Sequence, residues 1–326
     1  MNKKGFTLIE LLAVIVILAI IALIATPIVL SIINQSKESA GLRSAEMYLD
    51  AVEQSIALEK MNNTTFNPNS CTITNGNLNC DGTDVDVKVN GEVPETGKIT
   101  FENSKIKDVT LNYSNGKTIV KNFNGEVVYK AKLSDICILA DGYTSNQVGA
   151  KYTCDFGAGA KNFYILELGT NPVSNSTLES DEVALILEGN YDTTTQYWCD
   201  QNGPNPSNNV CAADGLKAKL DEIASAWTKL ERDQIILPSM EQIMVADGKS
   251  EDAYTDWATF LTNAWLYNWP DNADYGSSAP YGYWSSSPYV DYSNCAWFVR
   301  SIGKLTTQNV DNGVYHAVRP VINLKI

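Results

Sequence analysis

Near its start the chain holds a glycine, an aromatic residue and a carboxylate at a spacing that can support a proteolytic cut and a charge pair. The stretch is Lys3-Lys4-Gly5-Phe6-Thr7-Leu8-Ile9-Glu10. Cleavage between Gly5 and Phe6 would leave Phe6 with a free α-amino group, a cation near neutral pH. Glu10 is the matching anion. It stands at the edge of an apolar run, where a lone carboxylate costs roughly 3 kcal/mol in a membrane and so needs a partner. The α-amino group of a neighbouring subunit can be that partner, and the pair would then settle register between helices.

Other residues with chemical potential are sparser. Seven cysteines fall as Cys71 and Cys80, Cys137 and Cys154, Cys199 and Cys211, and a solitary Cys295. In an exported chain, disulfides within the three local pairs are the economical reading, each worth roughly 2 to 3 kcal/mol in the chain-entropy view. Free buried thiols are the alternative, because spacing does not fix connectivity. Cys295, beside Ala296, Trp297 and Phe298, reads as a small core residue. The one histidine, His316, lacks the companions a zinc site requires. Asp271, Asn272, Asp274 and Asp291 are oxygen ligands near one another but follow no calcium-loop pattern, so solvated loop acids are expected and no metal or cofactor is assigned. Gly-x-Ser-x-Gly, His-Glu-x-x-His and a full Walker motif are all missing, so no enzyme activity is expected. Trp265, Tyr267, Trp269, Tyr275, Tyr281, Tyr283, Trp284, Tyr289 and Tyr292 stand among Ser, Asn and Gly, the mixture that binding loops use. Tyr281, Tyr289 and Tyr292 are the ligand-binding candidates, with core packing as the competing reading.

The elements that position these groups begin with the run from Leu11 to Ile33, about 23 residues without a charge and long enough for a helix to cross a ~30 Å hydrocarbon core. Beyond it Leu42, Ala45, Leu49, Val52 and Ile56 recur at steps of three and four between charged residues. This periodicity predicts one continuous helix from about Thr7 to Lys60, its later half amphipathic.

The nonamer Lys4-Gly5-Phe6-Thr7-Leu8-Ile9-Glu10-Leu11-Leu12 resembles the class III leader and methylation site of type IV pilins and pseudopilins. The resemblance covers about the first 60 residues. It implies that a prepilin peptidase cuts after Gly5 and methylates Phe6, and that Glu10 pairs with a neighbour's N-terminus during assembly. Pro27 stands where such helices often carry a loosening proline. A secretory signal would show a small-residue cleavage site at the end of its core. A plain anchor would have no use for Glu10.

After turn formers at Asn62 and Asn67, alternating Val85, Val87 and Val89 predict a half-exposed strand. Runs at Lys98–Phe101, Ile106–Tyr113, Thr118–Phe123 and Glu126–Lys130 follow, with Asn115-Gly116 and Asn124-Gly125 as hairpin signals. These make an antiparallel meander laid on the long helix. The texture changes near Ala131–Asp135. Strands are expected at Tyr152–Phe156, Asn162–Leu168 and Glu182–Leu187, a helix capped by Asp214 and carrying Leu216, Leu220, Ile223, Trp227 and Leu230, a capping box at Ser239 and Gln242, and a helix from about Asp252 to Tyr267. The closing order, Tyr281-Gly-Tyr-Trp-Ser-Ser-Ser-Pro288, Cys295-Ala-Trp-Phe-Val-Arg300 and Gly313-Val-Tyr-His-Ala-Val-Arg-Pro-Val-Ile322, is similar to domains with the C-type-lectin-like fold of the formylglycine-generating-enzyme class. The resemblance implies that Arg319 anchors an inner loop. Those enzymes act through a cysteine pair, and with Cys295 alone the activity is not carried over.

The net charge of −14 and pI near 4.5 argue against nucleic acid as a partner. The combined expectation is an α+β protein: leader 1–5, long helix 6–60, pilin-like β head 61–133, and a lectin-like α+β domain 134–326. Its expected role is an exported type IV pilus-like filament subunit, a minor pilin with a recognition or adhesion domain. A pseudopilin of a secretion or DNA-uptake system and a membrane-anchored exported enzyme are the alternatives. Expected partners are the prepilin peptidase, other pilin subunits, the membrane before assembly, and a surface glycan or protein. The expected location is a single pass of the bacterial cytoplasmic membrane, then the cell surface or an extracellular filament.

Overall fold

A computed structural model of the chain describes residues 8–198, 214–251, 253, 258–268, 280, 282–289, 294–310 and 316–326. Within its helices the side chains at 10, 11, 24, 27, 28, 31, 34 and 214 also lie outside the described set. The chain divides into two compact units, Met1–Ile119 and Val120–Ile326. Residues 120–133, expected with the head, count with the second unit.

The first unit is built on helix α1 (Leu8–Asn62), which continues through Pro27. Its early part is bare: Leu8, Leu12, Ile17, Leu23 and Ile33 are all exposed, Leu23 at 78%. Among the described residues no helix is long and apolar enough to cross a membrane, the run from Leu11 to Ile33 being interrupted there by the side chains outside the set. From Ala45 onward the picture reverses, and Ala45, Tyr48, Leu49, Val52 and Ile56 are buried, the three-four spacing having brought them to one face. Burial pushes the Tyr48 phenol up to about 12. Ser55 Oγ donates to Asp86 O at 2.9 Å and Ser44 Oγ accepts from Glu92 N–H at 3.2 Å, tying α1 to the loop after the third strand.

Five antiparallel strands follow, β1 (Ser70–Thr74), β2 (Asn77–Cys80), β3 (Thr83–Val85), β4 (Thr96–Glu102) and β5 (Lys105–Asn112), with the chain crossing over after β3 so that β4 pairs with β1. Within this unit the strand order is β3-β2-β1-β4-β5; β6 (Thr118–Lys121) begins at the boundary and β7 (Val127–Tyr129) lies beyond it. The strand expected at Val85–Val89 starts earlier and ends at Val85. Asn75 and Gly76 sit at φ 50° and 80°, and Asp81 and Gly82 at 47° and 91°, the conformation of a two-residue type I′ loop. These two turns close the β1–β2 and β2–β3 hairpins, and both were missed in the sequence.

In the second unit the β6–β7 turn is held by Asn122 Nδ2, which donates to Thr228 O at 2.8 Å, and by Asn124 Nδ2, which donates to Ser225 O at 3.3 Å. Those two bonds explain why residues after Ile119 belong to it. A short helix α2 (Leu133–Ile136) leads to β8 (Cys137–Leu139), β9 (Lys151–Asp155), β10 (Ala160–Leu168) and β11 (Glu182–Leu187). Next come α3 (Lys217–Ala226), β12 (Ile235–Ile236) and α4 (Met240–Ala246), then β13 (Ala258–Phe260), β14 (Gly282–Pro288), β15 (Cys295–Arg300), β16 (Lys304–Asn309) and β17 (Val321–Lys325). Two antiparallel sheets result, β12-β17-β11-β10-β9-β8 and β13-β16-β15-β14. Phe163, Ile165 and Leu185 face one core cluster with Phe156, Trp227 and Trp284, whereas Tyr164, Leu166 and Ile186 face another with Met240, Ile243 and Trp297. Burial on both faces is why β10 and β11 read as nearly unbroken apolar runs.

Two helix expectations need correction. α3 is entered through a 3-10 turn at Asp214–Leu216, its N-cap position is Leu216 with no side-chain bond, and it stops at Ala226. The expected helix over Asp252–Tyr267 is replaced, among the described residues, by strand β13 and a 3-10 turn at Ala264–Leu266. Asp247 explains the change. Its buried carboxylate accepts from the N–H groups of Thr262 and Asn263 at 2.8 and 2.6 Å, and β13 pairs with β16. Tertiary partners thus take the backbone groups that a helix would have used. The capping box at Ser239 is present, with Ser239 N–H donating to Gln242 Oε1 at 2.9 Å and Gln242 N–H to Ser239 Oγ at 3.1 Å.

Candidate functional site

Of the N-terminal processing group, Gly5 and Phe6 lie outside the described residues, as does the side chain of Glu10, whose backbone is helical. What the structure adds is the surface that follows. Among the described side chains between Leu8 and Ile33, large apolar ones such as Leu8, Leu12, Ile17, Leu23, Leu30 and Ile33 are exposed, an uncommon state for apolar surface in water and a mark of a membrane or protein interface.

Cys71 bonds Cys80, and Cys137 bonds Cys154. Each pair sits directly opposite across antiparallel neighbours, β1 with β2 and β8 with β9. Cys199 and Cys211 lie outside the described residues. Cys295, at the start of β15, is half-buried.

In the second unit the polar centre is Arg319, fully buried. Its guanidinium donates to four backbone carbonyls: Leu187 O at 2.5 Å, Leu266 O at 2.6 Å, Trp265 O at 2.8 Å and Glu188 O at 3.1 Å. It also lies 5.1 Å from the centre of the Tyr283 ring, a cation–π arrangement. The group therefore anchors the Trp265–Leu266 loop to the end of β11, which is structural work. Beside it Glu188 accepts from Lys151 Nζ at 2.6 Å, Asn162 Nδ2 at 2.9 Å and Tyr164 Oη at 3.1 Å. Burial alone would raise the Glu188 carboxyl, but those three donors outweigh it and hold it below its usual range. Burial first, and then Glu188, push the Tyr164 phenol up. Trp265 stacks on Tyr164 with centroids 5.3 Å apart. Apart from Arg319, this cluster was missed in the sequence, because its members are far apart in the chain and meet only through the β9–β10–β11 pairing.

The tyrosine candidates fare differently. Tyr281 and Tyr292 lie outside the described residues. Tyr289 is buried, 4% exposed, with its ring edge-on to Trp297 at 5.4 Å. That corrects its assignment as a binding ring: next to the end of β14 its side chain packs into the core with Trp297. Tyr283 and Trp284 are buried too. His316 is enclosed between Trp284 and Phe298, at 4.6 and 3.9 Å between ring centres, a packing position. Asp271, Asn272, Asp274 and Asp291 lie outside the described residues, and among the described residues no cluster of three metal-ligating side chains occurs.

A separate cavity of ≈530 Å³ opens between the loop at Asn175–Leu178, the start of α3, β12 and the start of α4. Lys217, Arg232, Ser239, Gln242, Ser286 and Asn323 are among its lining residues.

Residues 1–26 match the family described as the prokaryotic N-terminal methylation motif. No curated protein and no solved structure matches the chain. The motif marks a type IV pilin-like exported protein, and its leader implies processing by a prepilin peptidase and insertion into the membrane.

Proposed function

We propose that the protein is a minor subunit of a type IV pilus-like filament, acting by assembly and surface recognition rather than by catalysis. The observation that carries this reading is the change of character along α1. The methylation motif runs into a helix whose described apolar side chains between Leu8 and Ile33 are exposed, whereas from Ala45 onward the same helix buries one face, Ala45, Tyr48, Leu49, Val52 and Ile56. A helix of this kind has one half for neighbours and one for its head. Glu10 would pair with the α-amino group of a neighbour's Phe6. The second unit, in this proposal, is the lectin-like recognition domain. Its support is the closing β17 strand, set between β11 and β12, and the Arg319 anchor of an inner loop.

The test is twofold. Mass spectrometry of the native protein should find Phe6 as the N-terminal residue, methylated; an intact Met1, or a cut after residue 20, would end the proposal. Glu10→Val should leave export and head folding intact while lowering incorporation into filaments. Normal incorporation of that variant would show that no charge pair is needed.

A further inference from the structure

We infer that the cavity beside β12 is a binding cleft for a carboxylated sugar. Its volume of ≈530 Å³ falls within the ~300–1,000 Å³ usual for small-ligand sites. Charge is the first argument. The chain carries 38 acidic residues against 24 lysines and arginines, yet among the described residues the ionisable side chains that line this cleft are Lys217 and Arg232, both cations. Arg232 is held in place: Nε pairs with Asp221 and Nη1 donates to Ile235 O at 2.9 Å. Neither bond uses Nη2, so a guanidinium fixed in place presents a further charged donor to the cleft. Lys217 stands exposed at the rim.

The second argument is an acceptor in need of a donor. Asn323 lines the cleft, and its Oδ1 is buried with no hydrogen-bond partner among the described residues. Buried polar atoms are rarely left so, and a small rotation of the Asn323 amide toward the cleft on binding would let a ligand hydroxyl satisfy this one. Asn175, Thr177, Ser239 and Ser286 add amides and hydroxyls around it, while Leu178, Leu220 and Leu237 supply apolar wall. A fatty acid would leave the polar lining unpaired, and a simple inorganic anion would leave the apolar wall empty. A sugar ring with a carboxylate uses both. The cleft is independent of filament assembly, so this inference stands whichever way the processing test falls.

The test is ligand-observed NMR on the full-length chain in detergent, with D-glucuronate, methyl β-D-glucoside, acetate and a triglutamate peptide as probes. D-glucuronate should bind saturably, and the neutral glucoside and acetate at least about tenfold more weakly, the loss of one good polar contact. Lys217→Gln, an exposed change, should weaken glucuronate binding several-fold without moving the melting temperature. Asn323→Asp should weaken it by placing a like charge beside the ligand. Arg232→Lys keeps the charge but loses the fork, and should also weaken it. Absence of saturable glucuronate binding, equal binding of the glucoside, tighter binding of the peptide, or indifference to both Lys217→Gln and Asn323→Asp would each overturn the inference.

Discussion

At the scale of single residues, Arg319 shows how backbone carbonyls can hold a buried charge. Four carbonyl oxygens surround the guanidinium, and their summed dipoles add to the nearby Glu188 carboxylate while the planar fork of Arg319 reaches all four. Arg319→Met should therefore orphan several buried acceptors at about 1–3 kcal/mol each. Urea unfolding should show a loss of at least about 3 kcal/mol, and a change under about 1 kcal/mol would mean that water replaces the side chain easily. Arg319 was legible in the sequence as an anchor through its place in the Val-Arg-Pro-Val strand. Its four partners were not, since Leu187 and Leu266 are remote in the chain and backbone carbonyls carry no sequence signature. Tyr289 teaches the converse: an aromatic ring among polar neighbours has the composition of a binding loop, but its direction is set by the strand it follows.

At the scale of elements, both described disulfides staple antiparallel neighbours at directly opposed positions, Cys71 with Cys80 and Cys137 with Cys154. The chain segments they close span 9 and 17 positions, for which the chain-entropy view gives about 3 kcal/mol each. Nonreducing peptide mapping should recover these two pairs, and reduction should lower the melting temperature. Any long-range pairing in the map would contradict the strand register. These pairs were readable because short loops between cysteines bring them together whatever the rest of the chain does. The region before Tyr267 was misread for the opposite reason. Its apolar spacing suits a helix, but Asp247 and β16 capture its backbone groups, and a periodicity cannot report on partners that lie elsewhere in the chain.

At the scale of the whole molecule, the apolar surface exposed along α1 ends at Ile33, and burial begins at Ala45. A chain that starts at Gln35 should accordingly stay folded and monomeric without detergent, with both described disulfides intact, whereas the full-length chain should associate or require detergent. Sedimentation velocity checks this, and persistent association of the shortened chain would place the interface elsewhere. The sequence by itself determined the leader, the long helix, the turns at Asn115-Gly116 and Asn124-Gly125 and the pairs of Cys71 with Cys80 and Cys137 with Cys154, because each rests on neighbours in the chain: a cleavage motif, a period of 3.6 or 2, a turn dipeptide, a short loop. Only the tertiary structure decided that Tyr289 and His316 are core, that Glu188 gathers Lys151, Asn162 and Tyr164, and that Arg232, Lys217 and Asn323 share one cleft. Those juxtapositions arise from strand pairing between distant segments, where burial and hydrogen-bond satisfaction across the whole fold outweigh any local preference.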